Sequence, residues 1–493
     1  MPVRQLTDIN QVETSPKAGG TLGACFFRGS LNDKPISTKF SLKNKHRCGK
    51  MIHILPHLII MTVQNHPSGE LPISVTDPNS QAKHYDVAII GAGTVGMLCA
   101  ILLAQRGYQV IILDNKPAPS QASFDLRLAQ RDARVYALNR SSIDLFKSAD
   151  VWDGITRRAD YDQMRVWARD DFGELIFEDE RAFENIMLGS MVEPSVLDEA
   201  LWRRAQACDN LTLKYEISLA AHGMAFDEMS DGVCIRYQAD NQAKMVKAKL
   251  LLGADGRASL VRREMGIGID KLDYHQKAIC CAIRTDQPHD NTARQVMLPT
   301  GTLALLPIAD LNQQDQGRWQ SIVWSLPEQI AEAYLSDYHQ NPKSLIDRLA
   351  LASGYVLGDI HEVQSVASFP LSAQTAKRYH KGLIALMGDA AHGVHPLAGQ
   401  GLNLGLSDVK ALITLIDEYR TKNLPLSARL LGEYERAVKG HNSMMMHSFS
   451  MINFAYASAL SDIPVIRYAR SEIVKAISKS PSVMRLLIER ANR

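Results

Sequence analysis

Hydrophobic residues along this chain follow two periods, and glycine marks several of the places where one gives way to the other. YDVAII (85–90) is a short, nearly continuous apolar run, the pattern of a strand buried on both faces. GAGTVG follows, and MLCAILLAQRG then predicts a helix that stops at Gly107. QVIIL (109–113) is the next strand, closed by Asp114. Strand, glycine loop, helix, strand and acid within 30 residues make a βαβ unit. Farther on, KLLLGADG (249–256) is a buried strand running into a glycine turn, and LIALM (383–387) is another, leading into GDAAHGVHPLAGQGLNLGLSD (388–408). Short β-rich stretches alternate with polar turns over 165–180 and 211–240. The region 270–330 reads mostly as β-structure, with TLALLPI and QSIVWSL its clearest strands, and the chain is helical from 400 onward. No internal repeat is present.

Before Tyr85 no period is sustained. Residues 1–60 hold nine Lys/Arg against three Asp/Glu, with turn-forming stretches such as NQVETSPKAGG. Asp8 and Glu13 stand where a transit peptide avoids acid, and no early apolar core marks a secretory signal. Residues 1–84 therefore read as a disordered extension, with Met61 as an alternative start. Composition changes little else: 46% hydrophobic and 22% charged residues are ordinary for a soluble globular chain, and a formal charge of +2 gives no argument for nucleic-acid binding. No apolar run is long enough to span a membrane. The cysteines at 25, 48, 99, 208, 234, 280 and 281 include no C-x-x-C pair and suit reduced thiols in the cytoplasm.

The glycine loop carries the first chemistry. Gly91 permits a tight turn, Gly93 lets the backbone approach a diphosphate, and Gly96 allows close helix–strand packing. The helix that follows offers free N–H groups and the positive end of its dipole to the anion. Asp114, 18 residues after Gly96, is placed to accept hydrogen bonds from a ribose diol and disfavours a 2′-phosphate. This leaves NAD or FAD as the ligand. An NAD dehydrogenase would continue into further regular βαβ repeats, whereas this chain turns to β-rich sequence and returns to glycine turns only at GADGRASLVRREMGI (253–267) and GDAAHGVHP (388–396).

In that order GAGTVG, GADG and GDAAHGVHP resemble the fingerprints of single-component FAD-dependent aromatic hydroxylases, the group that includes p-hydroxybenzoate hydroxylase. DARVYALNRSS (132–142), MRVW…GELIF (164–177), LGSMVEPSVLDEAL (188–201) and HPLAGQGLNLGLSD (395–408) narrow the resemblance to the ubiquinone-biosynthesis hydroxylases over residues 84–493. Asn139 departs from the serine more usual there. The resemblance implies an α/β fold in which a Rossmann-like FAD-binding domain is interrupted by a β-sheet substrate domain, with a helical C-terminal region. The segments would be FAD-binding at 85–164, mixed at 165–248, FAD-binding at 249–269, substrate sheet at 270–380, FAD-binding at 381–425 and C-terminal helices at 426–493.

The resemblance also assigns roles. Asp389 would bind the sugar chain of FAD, Pro396 would lie near the isoalloxazine, and Gly399, Gln400, Gly401, Leu402 and Asn403 would contact its pyrimidine edge. Arg134 would reach the cofactor from the helix after the first unit, and Asp255 would sit near the diphosphate and a nicotinamide approach. A helix starting near Gly401 would direct its N-terminus at the flavin, where negative charge gathers on reduction. His392 and His395 supply only two nitrogens, too few for a metal site, and read as shaping the turn through bonds to backbone. The implied reaction is hydroxylation of a polyprenylated phenol or quinol through a flavin C4a-hydroperoxide formed with O2, which requires water to be excluded. No second dinucleotide unit is present, so NAD(P)H or another electron donor would act transiently. The sequence names no catalytic base. A Met- and aromatic-rich stretch, 441–469, suggests peripheral contact with the inner face of a membrane or with other quinone-biosynthesis proteins. Two other readings share these motifs: a reductase of isoprenoid double bonds, and a non-catalytic flavoprotein scaffold.

Overall fold

The buried apolar runs assemble into one row of strand ends. In the computed structural model, which describes residues 83–169, 174–178, 187–219, 225–393 and 400–440, the strands Ile384–Leu386, Gln242–Gly253, Lys83–Ile90, Val110–Leu113 and Leu211–Lys214 lie side by side and parallel. Their register is level: Leu386 pairs with Gly253, Gly253 with Ile90, and Ile90 with Leu113. The strand Gln242–Gly253 serves two partners along one edge. Its first part pairs antiparallel with Gly232–Ala239, and its last three residues pair with Ile384–Leu386. The helix Thr94–Gln105 packs over this sheet against the helices Pro194–Gln206 and Gln400–Thr421. Near-complete burial of Leu98, Ile101, Leu102 and Leu103 anchors it.

The second sheet is mostly antiparallel. Its order is His392–Gly393, Ile360–Ala376, Ile269–Thr285, Trp319–Pro327, Gly301–Pro307, Thr292–Leu298, Gln163–Ala168 and Glu174–Glu178, with one parallel pair between Thr292–Leu298 and Gln163–Ala168. Alternation along these strands sorts the side chains by size. One face carries Ile279, Ile283, Leu303, Leu305, Ile322 and Trp324, and it is covered by the helices Glu328–Gln340 and Lys343–Ser353. The opposite face carries smaller residues, among them Ala278, Cys280, Ala282, Ala293 and Ala304. Cys280 and Cys281 are thus strand residues on opposite faces. A third sheet of Tyr136–Asn139, Gly189–Val192 and Arg158–Tyr161 packs on the small-residue face through Met191, Ala137 and Ala159. After the helix Gln400–Thr421, residues 428–440 are again helical. The extension 1–82, Pro396, Gly399, His395 and the stretch 441–493 lie outside the described residues.

Candidate functional site

Each strand end in the level row feeds a turn, and the turns meet. Gly91 (φ +108°) is pressed against the Ala254 carbonyl, and Gly96 against the carbonyl of Gly91, so a methyl group at either would overlap main chain. Gly93 differs: a Cβ there would meet nothing within 4 Å. Gly93 is the N-cap of Thr94–Gln105 and supplies no side-chain cap, and the helix has no acid in its first turn. Free N–H groups beside an open space are a cradle for an anion. Asp114 holds the loop in shape, accepting from the Ala92 N–H at 2.6 Å and the Lys116 N–H at 2.8 Å.

Gly93, Thr94 and Val95 border a cavity of about 370 Å³ that is also lined by Ala254, Gly256, Arg257, Gly388 and Asp389, and by Gly401 and Leu402 on the last helix. The three glycine turns are therefore brought to one place. Asp389 is exposed between buried neighbours, and its carboxylate has no protein partner among the described residues. At Gly401, as at Gly93, an added Cβ would meet nothing within 4 Å. A diphosphate along 93–95, a polyol chain by Asp389 and a flat ring over Gly401 and Leu402 fit this lining, and the residues present suit FAD.

Several expected residues take other positions. Arg134 does border the cavity, but from the coil before Tyr136–Asn139 rather than from a helix, because the helix after the first unit ends at Leu128. Its guanidinium stands 5.1 Å from the Phe369 ring and 5.6 Å from the Tyr136 ring. The carboxylate of Asp255 turns to the short helix Leu260–Glu264, accepting from Leu260 N–H at 2.6 Å and Val261 N–H at 3.1 Å, while its neighbours line the cavity. Asn403 is buried with its carboxamide engaged elsewhere. It donates to the Ala137 carbonyl at 2.8 Å and accepts from the Ser142 hydroxyl at 2.8 Å and the Asn139 N–H at 3.2 Å. Asn139 itself caps the helix Arg140–Ser148. Gln400 opens the last helix.

His392 bonds a side chain rather than backbone. Its Nε2 lies 2.6 Å from Asp408 Oδ2, and the same oxygen accepts from the Gly388 N–H at 2.9 Å. Both side chains are nearly fully buried, and the Tyr379 ring stacks on the imidazole. Burial alone would lower the His392 pKa; the charge and hydrogen bond of Asp408, with a contribution from Asp389, outweigh it and hold it above the ordinary 6.5. Sequence reasoning also missed Arg262, a buried guanidinium that donates to the carbonyls of Ala390 and Arg257, both at 2.8 Å, and so ties the second glycine turn to the third. The stretch GRASLVRREMGI around it gave no sign of that role.

The cavity continues from the cradle onto the small-residue face of the second sheet, bounded by Ala278, Cys280, Val323, Ala304 and Leu306, with Tyr161 and Met164 at its far end. Burial pushes the Cys280 thiol and the Tyr161 phenol each up to about 12, so both stay neutral near pH 7.

A nucleotide cradle opening directly onto an apolar chamber is the arrangement of a flavoprotein with room for a second ligand against the sheet. The chain belongs to the FAD binding domain family, which it matches over residues 84–438, and within it to the ubiquinone-biosynthesis hydroxylases. It is 30% identical to the 3-demethoxyubiquinol 3-hydroxylase of Escherichia coli K12 over 395 residues, covering 78% of this chain and 93% of the relative. It is 30% identical to the ubiquinone hydroxylase UbiL of Rhodospirillum rubrum (85% and 92% covered) and 29% identical to the mitochondrial ubiquinone biosynthesis monooxygenase COQ6 of Danio rerio (79% and 86%). Among solved structures, p-nitrophenol 4-monooxygenase PnpA of Pseudomonas putida superposes with a TM-score of 0.66 at 17% identity, covering 83% of this chain and 99% of that one. Aklavinone-11 hydroxylase, solved with FAD and aklavinone, gives 0.57 at 20% identity, covering 78% and 71%. These likenesses establish the fold. The protein is an FAD-dependent aromatic-ring monooxygenase.

The geometry leads to three predictions. Gly93→Ala puts a methyl group into the open cradle, where no protein atom lies within 4 Å of it. It should weaken FAD binding by about tenfold or more while leaving the unfolding midpoint of the apoprotein near wild type, read from the flavin-to-protein absorbance ratio and a thermal melt. Gly96→Ala should instead destabilise the fold itself, by about 1–3 kcal/mol for an overpacked contact. For His392, a raised pKa means that the stability from its pair with Asp408 is fully present below pH 6.5 and is lost as pH rises through the higher folded value. Asp408→Asn should therefore cost more stability at about pH 6 than at about pH 9, and equal denaturant midpoint shifts at the two would refute the ionic role.

Proposed function

We propose that this monooxygenase hydroxylates the ring of a polyprenylated phenol or quinol intermediate of ubiquinone biosynthesis, with NAD(P)H or another donor reducing the flavin in a transient encounter. The observation that carries the reading is the single cavity running from the glycine cradle to the apolar sheet face. FAD supplies the oxygen-activating chemistry when bound; the chain must bind and orient both ligands and keep water away. In this reading the N–H groups of residues 93–95 hold the diphosphate, Asp114 supports the loop by the ribose, Asp389 takes the sugar chain, and the backbone of Gly401 and Leu402 supports the ring. Pro396 and Gly399 keep the roles that the family resemblance gives them. Segments 85–164, 249–269 and 381–425 serve FAD, and the sheet within 270–380 serves the substrate.

The sheet face suits an aromatic ring with an apolar tail because its small side chains leave room and offer little to a charged ligand. A polyprenylated substrate resides in a bilayer, and no helix among the described residues is long and apolar enough to cross one. We read the contact as peripheral, at the inner membrane face, with delivery by other proteins of the same pathway.

The test uses FAD-loaded protein, NAD(P)H and a neutral short-chain 2-prenylphenol presented in liposomes. Dioxygen uptake should match the appearance of a product heavier by one oxygen, and the protein should float with the vesicles. A product gaining two hydrogens without dioxygen uptake would instead identify a reductase of isoprenoid double bonds.

A further inference from the structure

On the cavity-facing side of the second sheet, Gln295 brings a carboxamide among small and apolar neighbours. Gln295 pairs with Ala304, Ala304 with Val323, and Val323 with Cys280, so these four side chains form one row across four strands and point to the same face. The cavity is lined by all four, and by Ala293 and Leu306 of the adjoining row. Gln295 is only 8% exposed. Its carboxamide Nε2 donates to the thioether of Met297 at 3.4 Å, a weak acceptor. Its oxygen and its other N–H have no protein partner among the described residues. A nearly buried carboxamide left with one soft contact costs free energy unless something enters the cavity to satisfy it.

No cationic side chain stands in that row of four. Arg294, the next residue, also borders the cavity, but by strand alternation its side chain belongs to the opposite face, level with Leu305, and it gives its Nη1 to the carbonyls of His289 at 2.8 Å and Thr292 at 3.1 Å. Arg134 borders the same cavity beside Phe369, on a strand four places across the sheet from that of Gln295. The polar groups facing the far part of the chamber are this amide and the Tyr161 phenol; the amide can donate to one neutral oxygen and accept from a hydroxyl, and neither group carries a charge to offset a buried carboxylate.

We infer that Gln295 orients the substrate by hydrogen bonding a neutral ring oxygen, a hydroxyl or methoxy group, and that the site selects an uncharged phenol or quinol over the same ring bearing a carboxylate. The inference rests on the hydroxylase reading above and specifies its substrate class. Gln295 is a substrate-orienting residue, so losing it should affect affinity and the use of oxygen more than flavin binding. A ring held loosely lets reduced flavin consume dioxygen without hydroxylating.

The experiment compares FAD-loaded wild type, Gln295→Leu and Gln295→Asn, each checked for flavin content and unfolding midpoint. Binding of a neutral 2-prenylphenol and of its carboxylated counterpart is followed by perturbation of the flavin spectrum, and turnover by dioxygen uptake and product mass. Wild type should bind the neutral ring at least tenfold more tightly than the carboxylated one. Gln295→Leu should raise the Kd and KM for the neutral ring about tenfold, the scale of one lost hydrogen bond left unsatisfied, and should lower the fraction of dioxygen recovered in product. Gln295→Asn, which keeps the carboxamide, should fall between. Unchanged Kd and coupling in Gln295→Leu, with wild type hydroxylating normally, would overturn the inference and leave the hydroxylase reading standing. So would a wild-type preference for the carboxylated ring. Weakened binding in Gln295→Leu with no hydroxylation by wild type would sustain the binding role and refute the hydroxylase reading. A wild type that neither binds nor hydroxylates the neutral ring would refute both.

Discussion

The level register of four strand ends constrains everything built above them. Leu386, Gly253, Ile90 and Leu113 lie in one row, so the four segments that follow emerge at the same height and must share one small volume. They can do so only where main chain approaches main chain. Gly91 against Ala254, Gly96 against Gly91, and Gly405 against Val95 and Gly388 are such approaches, and a side chain at any of them would push the turns apart. What remains between the turns is the open ground at Gly93 and Gly401. The cradle is thus a consequence of parallel pairing plus glycine at the contact points, with Asp114 and Arg262 fastening the turns by hydrogen bonds to backbone.

The second sheet makes room by a different means. Its two faces are both apolar, but one is filled by branched and aromatic side chains under a layer of helices, while the other is built largely from alanine, cysteine and valine. A sheet normally gains stability by burying bulk on both faces. Leaving one face shallow forgoes some of that packing and yields the chamber in which a ring can lie next to the cradle. The Cys280 thiol and Tyr161 phenol that border it add no charge of their own.

How far the sequence could be read depended on whether a residue's role was local. Buried strands, the glycine loop and the helix after Gly401 were all legible, because apolar runs and glycine spacing carry their own period. So was the pooling of three distant turns, once their resemblance to one family was noticed. The jobs of Asp255, Asn403 and His392 were not. Each is decided by which donor or acceptor the fold brings alongside: the first turn of a short helix, the Ala137 carbonyl and Ser142 hydroxyl, and a carboxylate 16 residues away. Arg134 shows the same limit, its place in a coil rather than a helix following from a helix that stops six residues earlier. Gln295 illustrates the most instructive case. Within a β-run it is one polar residue among many, and only the register shows which face it joins and which arginine it leaves behind.

A buried ion pair at the base of the cradle calls for a reason, since desolvating two charges commonly offsets their attraction. The hydrogen bonds of Asp408 supply one. Its Oδ2 takes the N–H of Gly388, a residue in the left-handed region (φ +55°) at the start of the third turn, and also the His392 imidazole at that turn's far side. Asp408 stands on the helix Gln400–Thr421, whose first turn borders the cavity at Gly401 and Leu402. One carboxylate therefore fixes the spacing between the turn that carries Asp389 and the helix that borders the cavity at Gly401. A neutral residue of the same shape could pack there, but it would weaken the bonds that the carboxylate gives the Gly388 N–H and the imidazole in a buried site. The pair therefore serves less the stability of the whole chain than the set distance between two halves of the cradle.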